Sequence, residues 1–406
     1  MGRGNQTNKS LDAQPGADHR CVCCWMPEIM LGPRVKKSPY YEATVAAGVS
    51  AFTIYNHMYM PTSYGDPAEE YRRLTERVAL WDVAGQRQIE IVGPDAASLT
   101  QYLSARNLAG LKSGRARYAP ICDHDGYLIN DPVLLCLADD RFWLSIADSD
   151  LGLWAKAVAA ERGADVQVFE PDASPLAIQG PLAEDLAIDL FGADVVGQLG
   201  FFHHVGVELD GIGLVLCRSG WSKQNGFELF LTDGSRGVEL WDTVMAAGAR
   251  FGIGPGTPNA SERIESGLLS FGSDNDSRTD PFEAGLGAWV NLDGEYDFIG
   301  KTALLKRVES GIERSLVNVS FADDSLSAAS LPLEHPRSVR LDGQVVGELR
   351  NAVWSPRLDQ AIGIGLVQSS ATTPGTRLTV DIDGVECSLV VASEPFGTPR
   401  RLFSAT

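Results

Sequence analysis

The sequence predicts an α+β chain of interleaved helices and antiparallel strands that ends in a β-rich module. Three observations carry that prediction. Strand and helix signals alternate from about residue 66 to 269. After about residue 310 strand and turn signals dominate. The 406 residues, 44% hydrophobic and 21% charged, suffice for two or three buried cores and exclude a disordered or collagen-like chain.

The elements follow in order. Asp66 is an N-cap, Pro67 fits the first helical position and Glu69 completes a capping box. Tyr71, Leu74 and Val78 give that helix an apolar face. Gln88 to Val92 alternates as a strand, and Pro94-Asp95 opens a short helix carrying Leu99 and Leu103. Residues 116 to 147 read as consecutive antiparallel strands, with turns at Asp123-His124-Asp125-Gly126 and Ala138-Asp139-Asp140. A helix over about 150–162 comes next. Strands are predicted over about 165–169, 174–179, 203–209, 213–219 and 226–232, with helices near 181–190, 235–250 and 259–269. Beyond 310 the Leu341-Asp342-Gly343 and Ile382-Asp383-Gly384 turns mark hairpins. Asp323 to Ser338 reads as a loop. The expected division is a tail over 1–37, two interleaved α+β domains over 38–309 and a β-barrel domain over 310–406.

Composition narrows the function. A formal charge of −19 works against nucleic-acid binding. No segment has the roughly 18 apolar residues of a membrane span, and the first 29 residues are polar without a signal core. Cys122, Cys136, Cys217 and Cys387 lie in apolar strand-like runs and fit buried thiols of a reducing compartment. Cys21, Cys23 and Cys24 cluster near His19 without a second pair at zinc spacing. The expectation is a cytoplasmic protein without a metal site.

Generic motifs are scarce. Gly252 to Thr257 is not a dinucleotide fingerprint, because Thr257 stands where the last glycine belongs. His203 and His204 are adjacent strand residues facing opposite sides, so they do not readily share a metal. Asn130-Asp131-Pro132 interrupts an apolar run. It reads equally as a bulge before proline and as a carboxylate aimed into a cavity. Arg218 to Glu228 reads as a long hairpin connection or as a binding loop with an aromatic wall and charged tips.

Read together, these segments resemble the glycine cleavage T-protein family. Leu80-Trp81-Asp82-Val83, Gly93-Pro94-Asp95-Ala96, Gly126 to Asp131, Leu176 to Pro181, Ser219 to Glu228, Arg263 to Leu268 and Phe298 to Lys301 match its signatures in order. Gly347-Glu348, Ser355-Pro356 and Ile362-Gly363 are similar to its C-terminal barrel. The likeness spans about residues 38–398. Within the family the wording is closest to the branch that demethylates dimethylsulfoniopropionate, notably at Thr53 to Met58, Arg87 to Glu90, Asn130 to Val133, Ser145 to Asp150 and Ser219 to Gln224.

The resemblance implies a three-domain cloverleaf with tetrahydrofolate in a central channel and a small methylated molecule as substrate. Asp131 would face the reactive folate nitrogens as the catalytic carboxylate. Glu228 would bind the pterin ring, with Tyr118, Arg263 and Trp221 also around the cofactor. Tyr55, Trp221, Lys223 and Phe52 would meet substrate, the aromatics by cation–π attraction to a sulfonium and Lys223 by pairing with its carboxylate. Phe52 and Phe227 stand where the demethylases carry tyrosine, which leaves another methyl donor open. Aminomethyl transfer and a non-catalytic folate-binding iron–sulfur assembly factor are the alternatives. A homodimer is left open.

Overall fold

The computed structural model describes residues 29–322, 331–333 and 335–396. Most of the expected tail and the Cys21–Cys24 cluster lie outside them, as does most of the loop from Asp323. Lys36 already pairs with the first hairpin, donating to the His57 carbonyl and accepting from Tyr59 N.

Two sheets carry the first three hundred residues. One has six strands, in the spatial order His204–Leu209, Ile212–Cys217, Gly226–Leu231, Ser174–Gln179, Ala79–Asp82 and Gly254–Gly256. All pair antiparallel except the last two, which are parallel. The other has five, in the order Gln167–Phe169, Gln88–Val92, Arg141–Ser145, Val133–Ala138 and Arg115–Tyr118. The second sheet is threaded inside the first in sequence, because Ala79–Asp82 pairs with a strand that begins at Ser174.

Strand alternation sorts the side chains. Phe227, Leu229 and Leu231 enter a core with Leu240, Trp241 and Leu186 from the covering helices. On the opposite side of that strand Phe230 meets Trp143 of the five-stranded sheet, with ring centres 5.9 Å apart. Ile89, Ile91, Leu134 and Leu144 face away, into a core with the helices Ala96–Leu103 and Leu151–Arg162. Glu228 therefore faces the space between the sheets.

Six strands from Arg314–Phe321 to Val385–Val391 close into a barrel around Val319, Leu349, Leu378 and Leu389. Its Asp342-Gly343 and Asp383-Gly384 turns have positive φ at both residues, as tight hairpins require. The barrel rests on the helix Ala260–Glu265. Ile264 packs on Val353 and Ile362, and Ser261 donates to the Trp354 carbonyl.

Some predicted details change. The Asp66 cap forms, but the Glu69 carboxylate turns to Arg72 and Arg77, so the reciprocal half of the capping box is replaced by ion pairs. The helix ends at Glu76, and Val78 is core sequence leading into the next strand. Helical spacing continued by chance across that junction. Ser338 belongs to the strand Arg337–Leu341 rather than to a loop.

Candidate active site

Asp131 follows the short strand Leu128–Asn130 and is 9% exposed. Tyr118 donates its hydroxyl to Asp131 Oδ2 at 2.7 Å. Burial pushes the Asp131 carboxyl up to about 7, and the nearby charge of Asp274 adds to the rise against the lowering by Tyr118. Tyr55 lies beside this group; burial and then the Asp131 charge raise its phenol.

Two asparagines fix this geometry. The fully buried Asn130 donates to Ala147 O at 2.9 Å and Ser149 Oγ at 2.7 Å, and its Oδ1 accepts from Asp131 N and Ala147 N. Asn56, at the tip of the hairpin that carries Tyr55, donates to Gly85 O and Ala147 O and accepts from Ser149 N. Residues 146–149 are thus held from both sides. Asn56 and His57 both have positive φ, a turn conformation that asparagine tolerates and histidine reaches only at some cost.

Glu228 is buried, and Ser219 donates its hydroxyl to one carboxylate oxygen. Burial raises its pKa. Among the described residues the other oxygen has no donor and no cation pairs with the group. A buried acceptor so placed suits a neutral ring presenting N–H groups, which is what a pterin offers.

The loop between Cys217 and Gly226 is pinned by Gln179. Its amide lies against Gly220 and Gly226, where a Cβ would come within 1.9 and 2.1 Å of Nε2. It donates to Ser219 O and accepts from Ser222. Glu262 holds the loop tip, accepting from Lys223 N and Gln224 Nε2 at 3.0 Å each. Trp221 donates to Leu269 O, with the Arg263 guanidinium 5.8 Å from its ring. Arg263 is paired with the fully buried Asp274. Burial lowers the Lys223 ammonium, opposed by the Glu262 charge.

The residues named from sequence therefore fall into linked groups. Asp131, Tyr118 and Tyr55 form one. Trp221 and Arg263 form a second, with Lys223 on the same loop as Trp221. Glu228 stands at the base of the loop. Phe52 is apart: it stacks on Tyr41 at 5.2 Å and meets Tyr59 at 5.6 Å, on the face of its strand opposite Tyr55. Phe227 is fully buried in the helical core. Sequence reasoning missed Asn56, Gln179 and Glu262. Asn56 and Gln179 lie within the Thr53 to Met58 and Leu176 to Pro181 segments that carry the family resemblance, but neither is assigned a role by it. His204 is buried with Nε2 3.0 Å from Cys136 O, and His203 accepts from Gly200 N.

An α+β body with Asp131 and Glu228 buried in it and a six-stranded closed barrel defines the class, and the comparisons agree. Residues 40–294 match the GCVT N-terminal domain, and residues 314–397 match the glycine cleavage T-protein C-terminal barrel domain. The chain belongs to the glycine cleavage T-protein family. It is accordingly a tetrahydrofolate-dependent enzyme. The dimethylsulfoniopropionate demethylase DmdA of Ruegeria pomeroyi is 39% identical over 356 residues, 88% of this chain and 96% of that protein. An aminomethyltransferase of Halothermothrix orenii is 29% identical over 367 residues, 89% of this chain and all of that protein. The aminomethyltransferase T of the Bartonella henselae glycine cleavage system shares the fold, with a TM-score of 0.79 at 24% identity over 90% of this chain and 99% of that one.

Proposed function

We propose that this enzyme demethylates dimethylsulfoniopropionate, giving 3-methylthiopropionate and 5-methyltetrahydrofolate. The observation that carries the reading is the buried Asp131 held by Tyr118 and Asn130 beside Tyr55. Tetrahydrofolate, when bound, supplies the N5 nitrogen whose lone pair accepts the methyl group, while the sulfonium sulfur keeps the electrons of its broken bond.

The protein's share is modest. A sulfonium leaves as a neutral thioether, so alignment and exclusion of water are the main requirements. Glu228 and Ser219 hold the pterin edge. Asp131, through the oxygen that Tyr118 leaves free, takes up the proton the reaction releases. A carboxyl near 7 is suited to that task at neutral pH. Tyr55 and Trp221 offer aromatic faces to the sulfonium and Lys223 a charge to the carboxylate.

Phe52 packs on Tyr41 and Tyr59, and Phe227 lies in the helical core. The likeness to DmdA supports the same substrate. Four free, buried cysteines suit the cytoplasm as its location.

The test is an anaerobic incubation of purified protein and tetrahydrofolate with three donors in parallel: dimethylsulfoniopropionate, dimethylglycine and an aminomethylated lipoyl protein. Methylthiopropionate and 5-methyltetrahydrofolate in equal amounts from the first alone support the reading. Ammonia and methylenetetrahydrofolate from the third would replace it with aminomethyl transfer.

A further inference from the structure

A cavity of about 460 Å³ opens beside the Asp131 group, lined by Arg106, Asn107 and Arg117 on one side and by residues 288–293 on the other. Trp289 forms part of its wall and sets its ring edge-on to Tyr118, centres 5.4 Å apart. Trp289 on the wall thus contacts the tyrosine that donates to Asp131.

The arginines are fixed and uncompensated. Arg106 donates through Nη1 to Tyr118 O at 2.9 Å, and Arg117 through Nη1 to Asn107 O at 2.7 Å. One nitrogen of each is thus occupied by a neutral carbonyl. Neither pairs with a described carboxylate, and Asp293 on the wall bonds to neither. Burial, and then the Arg117 charge, lower the Arg106 pKa. Two half-buried guanidinium groups that repel each other are stabilised by an anion lying across both.

We propose that this cavity binds a carboxylate-bearing ligand, with Arg106 and Arg117 as its counter-charges. Two sources share that chemistry: the glutamyl end of the folate cofactor and a free dicarboxylate. The first rests on the folate reading, and the second does not.

Calorimetric titration of the full chain separates them, using tetrahydrofolate, tetrahydropteroate (which lacks the glutamate) and glutarate. If the cofactor is the source, wild type binds tetrahydrofolate about tenfold or more tightly than tetrahydropteroate, and Arg117→Gln removes that ratio while leaving tetrahydropteroate binding unchanged. If a free dicarboxylate is the source, glutarate binding falls about tenfold in Arg117→Gln and the folate ratio stays. Should neither folate form bind wild type, the folate reading fails and the glutarate arm still decides this one. Unchanged affinities for all three ligands in a folded Arg117→Gln protein overturn the proposal. If circular dichroism finds that variant unfolded, Arg117→Lys takes its place. It keeps the charge and loses the fork, so about a threefold loss is expected, and no loss overturns the proposal.

Discussion

At the scale of the residue, the proposed chemistry rests on Asp131, a carboxylate buried without a paired cation among the described residues. In the proposed reaction Asp131 must be ionised to accept a proton, so activity is expected to fall as pH drops through about 7. Asp131→Asn is expected to lower kcat by about 100-fold or more while changing the dissociation constant for tetrahydrofolate less than about threefold. A pH–rate profile and a binding titration check both halves. Asn130 spends its amide on Ala147, Ser149 and Asp131 N, so on the proposed reading it is a positioning residue. Asn130→Ala should lower kcat, leave the acidic limb of the profile near 7 and cost about 1–3 kcal/mol of stability by orphaning Ala147 N and O. Loss of the limb would instead make Asn130 part of the titrating unit. Asp131 was legible in the sequence because a carboxylate inside an apolar run requires an explanation. Asn56 was not: the Thr53 to Met58 segment carries the family resemblance but gives this residue no role. Its partners at 146–149 lie about ninety residues away.

At the scale of the element, local signals were read well and long-range ones were not. The Asp66 cap, the strand Gln88–Val92 and the Asp-Gly hairpins of the barrel depend on neighbouring residues, and they formed where spacing put them. The junction at Val78 was misread because a buried strand and a helix face are both apolar. No local pattern announces the role of Glu265. It accepts from Tyr71 Oη at 2.8 Å and Ser355 Oγ, and lies 3.3 Å from Arg357 Nε. It thereby joins the helix Pro67–Glu76, the helix Ala260–Glu265 and the barrel. Glu265→Ala removes all three contacts and should destabilise the chain by about 2–4 kcal/mol in urea denaturation. A second, earlier transition would mean that the barrel separates first.

At the scale of the whole molecule, stability and activity respond oppositely to pH. Asp82 is 1% exposed and accepts from Ser38 Oγ and from Ala84 N. Burial raises its carboxyl to about 7. Its unfolded value is about 3.9. A raised carboxyl contributes stability that is complete below the unfolded value and lost as pH climbs through the folded one. Asp131 adds the same sign. The Tm is therefore expected to fall by about 5 °C or more between pH 5 and 8, and Asp82→Asn should flatten that slope. An equal slope in the variant would assign the effect to other groups. The overall plan was readable only through likeness to a family. Threading one sheet inside the other and closing a barrel depend on pairings far apart in sequence, which period and propensity do not encode.

The most direct test of the central claim follows the methyl group itself. Dimethylsulfoniopropionate labelled with carbon-13 in one S-methyl is mixed anaerobically with tetrahydrofolate and enzyme, and the carbon spectrum is followed. The account predicts that the label leaves the sulfonium resonance and appears on N5 of the folate, at a rate at least about 100-fold lower with Asp131→Asn. Label that stays on sulfur while tetrahydrofolate is demonstrably bound would contradict it.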